Sequence, residues 1–195
     1  MKKSKGLTIV LIIIAIIVIW GIGAYNKLVK ADEAVQSQWA QVENVYQRRA
    51  DLIPNLVETV KGYAVHERET LESVIEARSK AMSTQVDASN LTEENIANFD
   101  AAQSAFSSAL SRLMVVVERY PDLKANQNFL ELQAQLEGTE NRIAVERKRF
   151  NEEAKNFNTY RRVFPRSIIA NMFGFEKKAY FESTPGAEVA PQVQF

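Results

Sequence analysis

Apolar residues recur along most of this chain at steps of three and four. From Trp39 to Met82 the series runs Trp39, Val42, Tyr46, Ile53, Leu56, Val60, Tyr63, Leu71, Val74, Ile75 and Met82, one stripe of a helix. Between Tyr63 and Leu71 it passes through Glu67 as two steps of four, a stutter that relaxes supercoil locally. The pattern predicts one long helix, or two sharing an axis, from Asn26 to about Met82. Pro54 lacks an N–H and crowds the preceding turn. It is expected to aim the lower half onto a bundle rather than act as a hinge, with Asp51 and Asn55 placed to bond the freed backbone groups.

The polar run Ser83 to Asn90 reads as a turn. Asn90 with Glu93 has capping-box spacing and opens a second helix, Leu91 to Tyr120. Phe99, Ala102, Phe106, Leu110, Leu113, Val117 and Tyr120 line one face, and Tyr120-Pro121 ends it. Ala101, Ala102, Ser104, Ala105, Ser107, Ser108 and Ala109 would let a neighbour approach closely. Asn128 with Glu131 is the expected cap of a third helix, Phe129 to Phe164. Phe129, Leu132, Leu136, Ile143, Phe150, Ala154, Phe157 and Phe164 face inward, and Pro165 closes it. No stretch alternates as a strand would. The expected fold is all-α: an antiparallel, coiled-coil-like bundle of three long helices over 26–182, with a short C-terminal helix from Arg166 to Met172.

Ahead of the bundle, Leu7 to Tyr25 is 19 residues without a charge. As a helix it spans roughly 28 Å at about 1.5 Å per residue, close to a bilayer's hydrocarbon core. Leu7 and Ile14 fall in this span, and Trp20 and Tyr25 sit where an interfacial aromatic belt belongs. The competitor is a cleaved signal peptide and a secreted helical domain, since Gly21-Ile22-Gly23 before Ala24 is a tolerable processing site. The anchor is preferred: the run is long for a signal, and helix-compatible sequence continues from Asn26. The basic head 1–6 carries Lys2, Lys3 and Lys5, whereas Lys27 and Lys30 are opposed by Asp32 and Glu33. The expected placement is the bacterial cytoplasmic (inner) membrane, with the amino terminus in the cytoplasm and the bundle outside it.

Composition removes several functions. Cysteine is absent, so there is no disulfide, thiolate nucleophile or lipobox. Net charge is zero, and the residues after the basic head are slightly acidic, which argues against nucleic acid. The one histidine lies in His66-Glu67-Arg68-Glu69-Thr70, where Thr70 replaces the second zinc-binding histidine. No phosphate loop or nucleophile elbow is present. The expectation is no enzyme, no cofactor, no metal and no small-molecule substrate.

Polar residues interrupt two stripes. Arg48, Arg49, Asp51 and Asn55 do so in the first helix, and Glu140, Asn141, Arg142, Arg147 and Asn151 in the third, with Thr139 and Asn158 beside them. A buried arginine needs a carboxylate, since uncompensated core charge is costly. Asp51 or Glu140 is therefore expected to meet Arg142, Arg49 or Arg147, as a register-setting network rather than a reaction centre. Near the C-terminus, Ile168, Ile169, Met172, Phe173 and Phe175 either cap the bundle end, the preferred reading, or form a contact patch for a partner or membrane surface. The tail 183–195 is small and Pro-containing and is expected not to pack, but Val193 and Phe195 give it an apolar terminus of the kind that recognition grooves accept.

Tyr25-Asn26-x-Leu28-Val29, Arg48-Arg49-Ala50-Asp51-Leu52-Ile53-Pro54-Asn55-Leu56-Val57 and Tyr120-Pro121-x-Leu123-Lys124-Ala125 resemble the LemA family. Glu140-Asn141-Arg142-Ile143-Ala144 and Phe150-Asn151 extend the resemblance from the apolar stretch to Phe181. It implies a single-pass bacterial membrane protein with a helical domain and no established enzymatic role; some family descriptions place the amino terminus outside the cell. Two functions remain: a membrane-anchored interaction protein that holds or regulates another envelope component, or a scaffold that self-assembles into a homo-oligomer on the bilayer.

Overall fold

From Lys2 to Lys61 the helix breakers are Pro54 and, more weakly, Gly6, Gly21 and Gly23, and the chain makes one helix of 60 residues, α1 (Lys2–Lys61). The computed structural model describes residues 2–64 and 66–182, with side chains from residue 6 onward. Beyond α1 come α2 (Arg68–Ser83), α3 (Glu93–Val117), the single turn α4 (Pro121–Lys124), α5 (Gln127–Arg162) and α6 (Arg166–Met172). Among the described residues there is no strand, and the protein is all-helical.

The expected continuous or coaxial helix to Met82 is not what forms. Gly62, a poor helix residue, opens a tight reversal in which Ala64 N–H donates to Val60 and Glu67 N–H to Ala64. α2 then runs back along α1, so that Arg78 reaches Ala50. Each half carries its own three-and-four stripe, and folding them together buries both, which a straight rod would leave wet. Tyr63 and Ile75, counted in that stripe by spacing, are consequently exposed.

α3 runs parallel to α1, with Trp39 and Phe99 ring centroids 5.1 Å apart. α5 returns antiparallel along most of α1, pairing Gln38 with Glu146 and Arg49 with Glu140. The three long helices thus gain α2 as a fourth member. The caps also move: Thr92, not Asn90, accepts the Asn95 N–H, and Asn126, not Asn128, accepts the Phe129 N–H. Phe164, expected inward, is exposed because α5 ends at Arg162 and the chain turns outward before α6.

Pro54 leaves the Ala50 carbonyl without its helical donor. Asp51 and Asn55 do not replace it: Asp51 accepts from Gln47, and both lie on the exposed face. Arg78 of α2 supplies the bond, Nε to Ala50 O at 2.7 Å, so the proline creates the acceptor that docks the neighbouring helix. Arg78→Ala should cost about 1–3 kcal/mol, because a buried carbonyl is left unpaired. Pro54→Ala restores the helical N–H and should shrink that cost. Urea unfolding of the two single variants and the double variant checks this; simple additivity would exclude the coupling.

The core divides in two. One cluster joins Ala24, Leu28, Trp39 and Tyr46 to Phe99, Phe150, Phe157 and Phe181. The other joins Ile53, Leu56 and Val60 to Val74, Phe106, Leu113, Leu123 and Phe129. Between them, at the level of residue 49, lies a polar layer.

Candidate functional site: two polar nodes and a C-terminal strap

Arg49 projects from α1 into the seam between the clusters, and its side chain is 1% exposed. Nη1 donates to Glu140 Oε1 at 2.8 Å and to Ser107 Oγ at 2.9 Å; Nη2 donates to Gln103 Oε1 at 2.7 Å. The guanidinium also lies 5.1 Å from the Tyr46 ring centroid and 4.9 Å from that of Phe106, positions that favour a cation. Gln103 Nε2 passes the bond on to Ala81 O of α2 at 3.3 Å. One arginine thereby ties four helices through charge-assisted hydrogen bonds. Glu140 is 48% exposed and lies in an open groove of about 550 Å³ between α3 and α5, beside Ser111, Gln133 and Asn141.

The second node is Arg147 on α5. Nη1 lies 2.8 Å from Asp100 Oδ1, an ion pair outside hydrogen-bond angles, and 3.4 Å from the Tyr46 hydroxyl. Its guanidinium sits 4.4 Å over the Phe181 ring, and Nη2 donates to Glu182 O at 3.3 Å. Burial raises the Tyr46 pKa, and Arg147 and Arg49 only partly oppose it. A raised folded pKa gives stability that is present below the ordinary 10.0 and lost as pH rises through the folded value. The melting temperature should therefore fall as pH passes about 10, and Tyr46→Phe should flatten that fall. A pH series of thermal melts on both proteins checks it.

After α6, Gly174 adopts φ +73, the left-handed conformation that ends helices at little cost for glycine. Phe175 N–H bonds back to Ala170 O, and the chain reverses into an extended strap over 175–182. The strap lies along α5, held by two asparagines. Asn158 Nδ2 donates to Lys178 O at 2.7 Å while its Oδ1 accepts the Lys178 N–H at 2.9 Å. Asn151 does the same for Phe181, at 2.8 and 2.9 Å. Seven helical residues rise about 10.5 Å and three extended ones about 10 Å, so the two spacings match.

The strap's side chains fill the core cluster around Trp39 and Phe150. Phe181 stacks on Trp39 at 5.8 Å and meets Phe150 edge-on at 5.5 Å. Lys178, almost wholly buried, pairs with Asp32 of α1 at 2.8 Å and reaches Ser89 O at 3.4 Å. Ala179 N–H donates to Leu91 O, and Lys177 pairs with Glu93 at the start of α3.

The polar residues expected to form one network are therefore dispersed. Arg49 and Glu140 meet in one node, and Arg147 and Asn151 hold the strap. Arg48, Asp51, Asn55, Asn141 and Arg142 lie on exposed faces outside both. Spacing did not single out Gln103, Ser107 or Asp100 as partners, because short polar residues on an Ala/Ser-rich helix look like its solvated side. In the C-terminal patch, Ile169 is buried and Phe175 half-buried, while Ile168, Met172 and Phe173 are exposed. Leu7, Ile14, Trp20 and Tyr25 are exposed on α1. Val193 and Phe195 lie outside the described residues. His66 is exposed, and no group of three His, Asp or Glu able to hold a metal occurs among the described residues.

Comparison with known proteins places this architecture. The LemA family model matches residues 38–195. Magnetosome protein MamQ of Magnetospirillum gryphiswaldense is 26% identical over 189 residues, covering 87% of this chain and 70% of that protein. Magnetosome protein MamQ 2 of Paramagnetospirillum magneticum matches at the same 26% over 189 residues, with the same coverage of 87% and 70%. Protein LemA of Metamycoplasma hominis is 24% identical over 163 residues, covering 84% of this chain and 71% of its own length. With four-fifths of its residues inside the family's sequence pattern, the chain belongs to the LemA family.

Proposed function

We propose that this protein is a membrane-anchored, non-enzymatic helical post that holds or regulates another component of the bacterial envelope. The observation that carries the reading is the continuity of α1. One helix passes from the uncharged stretch 7–25 into the core of the bundle. Side chains of that stretch are exposed up to about Trp20, whereas Ala24 and Leu28 are buried by the rest of the fold. An exposed apolar rod of this length suits lipid and not water. The charges inside the fold also support a structural role: buried Arg49 and Lys178 and half-buried Arg147 are each engaged by other parts of the same chain. The basic head favours the cytoplasmic side for the amino terminus.

The second reading, a self-assembling scaffold, has its own support. Ala97, Ala101, Ser104, Ala105 and Ser108 form an exposed stripe of small residues on the outer face of α3. Membrane fractionation followed by the mass of the detergent-solubilised protein separates the readings. A membrane-bound monomer supports the adaptor, and one large uniform species supports the scaffold. A chain recovered from the aqueous fraction and beginning at Ala24 would overturn both in favour of the secreted domain.

A further inference from the structure

α6 has two apolar sides, and only one of them faces the bundle. Ile169 and Ala170 are buried, with the Ile169 Cδ1 3.9 Å from where a Cβ on Gly21 would stand. On the other side Phe164, Ile168 and Met172 are 77%, 53% and 71% exposed. Phe173, also exposed, brings its ring centroid to 4.7 Å from that of Tyr25. These contacts fix the level of α6. Gly21 and Tyr25 belong to the last turn of the uncharged stretch, so α6 lies beside the end of that stretch and not beyond it.

The charges on the segment that carries this face have one sign until Glu176. Between Ala154 and Phe175 there are arginines at 161, 162 and 166, a lysine at 155, and no carboxylate. Arg166 lies 4.2 Å over the Tyr160 ring, Arg161 Nε donates to Phe175 O, and Arg162 is exposed. Apolar side chains beside arginines suit the boundary between acyl chains and anionic headgroups, where such elements submerge by about 5–10 Å.

We propose that Phe164 and the outer face of α6 form an interfacial foot, seated in the headgroup–acyl boundary of an anionic bilayer beside the emerging α1. This rests on the anchor reading above. The foot gives the membrane a second grip on the domain, and it gives the exposed face of α6 an occupant that the level and sign of charge both select. The preferred expectation of a cap covers only the inward half of α6; the outward half is the lipid contact.

The chain has no cysteine, so single probes can be placed at will. Met172→Cys, Ile14→Cys and Val115→Cys variants of the full chain, labelled with bimane, are reconstituted in vesicles of phosphatidylcholine and phosphatidylglycerol carrying doxyl-labelled lipids. The expected result is loss of most Met172 fluorescence with shallow doxyl groups, loss of Ile14 fluorescence with deep ones, and no loss at Val115. Arg162→Gln with Arg166→Gln should weaken the Met172 quenching and leave Ile14 unchanged. If Ile14 is quenched and Met172 behaves like Val115, the foot is wrong and the anchor stands; a protein partner on this face would give that outcome. If Ile14 is not quenched, the anchor reading fails, and the foot with it.

Discussion

Phe181→Ala should lower unfolding stability by about 3–5 kcal/mol, the range for losing a buried phenylalanine. The ring is almost wholly buried against Trp39, Phe99 and Phe150, and Arg147 covers its remaining face. Removing it opens a cavity in the cluster around Phe99 and Phe150 and uncovers Trp39. The strap should become cleavable under limited proteolysis between Gly174 and Glu182, whereas in the parent chain those bonds are held against α5. Asn151→Ala should cost less, about 1–3 kcal/mol, since it strands the N–H and C=O of Phe181 while leaving the ring. Urea unfolding and proteolysis of both variants test the ordering. A Phe181→Ala protein as stable as the parent would mean that the strap contributes nothing to the core.

The second large effect is at Arg49. Arg49→Ala should cost about 2–5 kcal/mol, the range for truncating a long buried side chain, with an unpaired buried amide oxygen added. The loss comes from the cavity and from the stranded Gln103 amide, because half-exposed Glu140 turns to water. Arg49→Met refills the space and should recover part of the loss, whereas adding Gln103→Leu removes the stranded Gln103 Oε1 but strands Ala81 O in its place and should bring little further gain. Glu140→Gln should cost about 1 kcal/mol or less, as half-exposed pairs are screened and Ser107 and Gln103 still hold the guanidinium. Thermal and urea melts of the four proteins decide it. A Glu140→Gln loss equal to that of Arg49→Ala would make the ion pair, rather than filling and amide satisfaction, the source of stability.

Much of the fold was legible in spacing alone: the apolar span, the stripe through Trp39 and Ile53, and the helix ended near Pro165; the helix expected to run to Tyr120 stops at Val117, and Pro121 opens the next turn instead. The reversal at Gly62 was not legible. Helices on both sides of it keep three-and-four steps, and Glu67 bridges the phase, so period alone cannot tell a hairpin from a rod. Glu67 in fact serves the turn, accepting from Arg119 and Tyr120 at the end of α3. The capping signatures at Asn90 and Asn128 lost to Thr92 and Asn126, candidates two residues away with equally suitable side chains. The asparagines at 151 and 158 stood out as polar intrusions seven apart. Their partner did not, because an extended strap that bonds through its backbone has no side-chain period to read.

Continuity of α1 has a mechanical consequence. On the anchor reading proposed above, with no break between the uncharged stretch and the bundle, any lean of the rod in lipid would be handed to everything attached to it. Lys61 stands about 54 Å beyond Tyr25 at helical rise, so an ordinary lean of about 20° would sweep the far tip roughly 18 Å sideways. A thinner or thicker bilayer would thus be read out at the tip as displacement, amplified by leverage rather than by any change of fold.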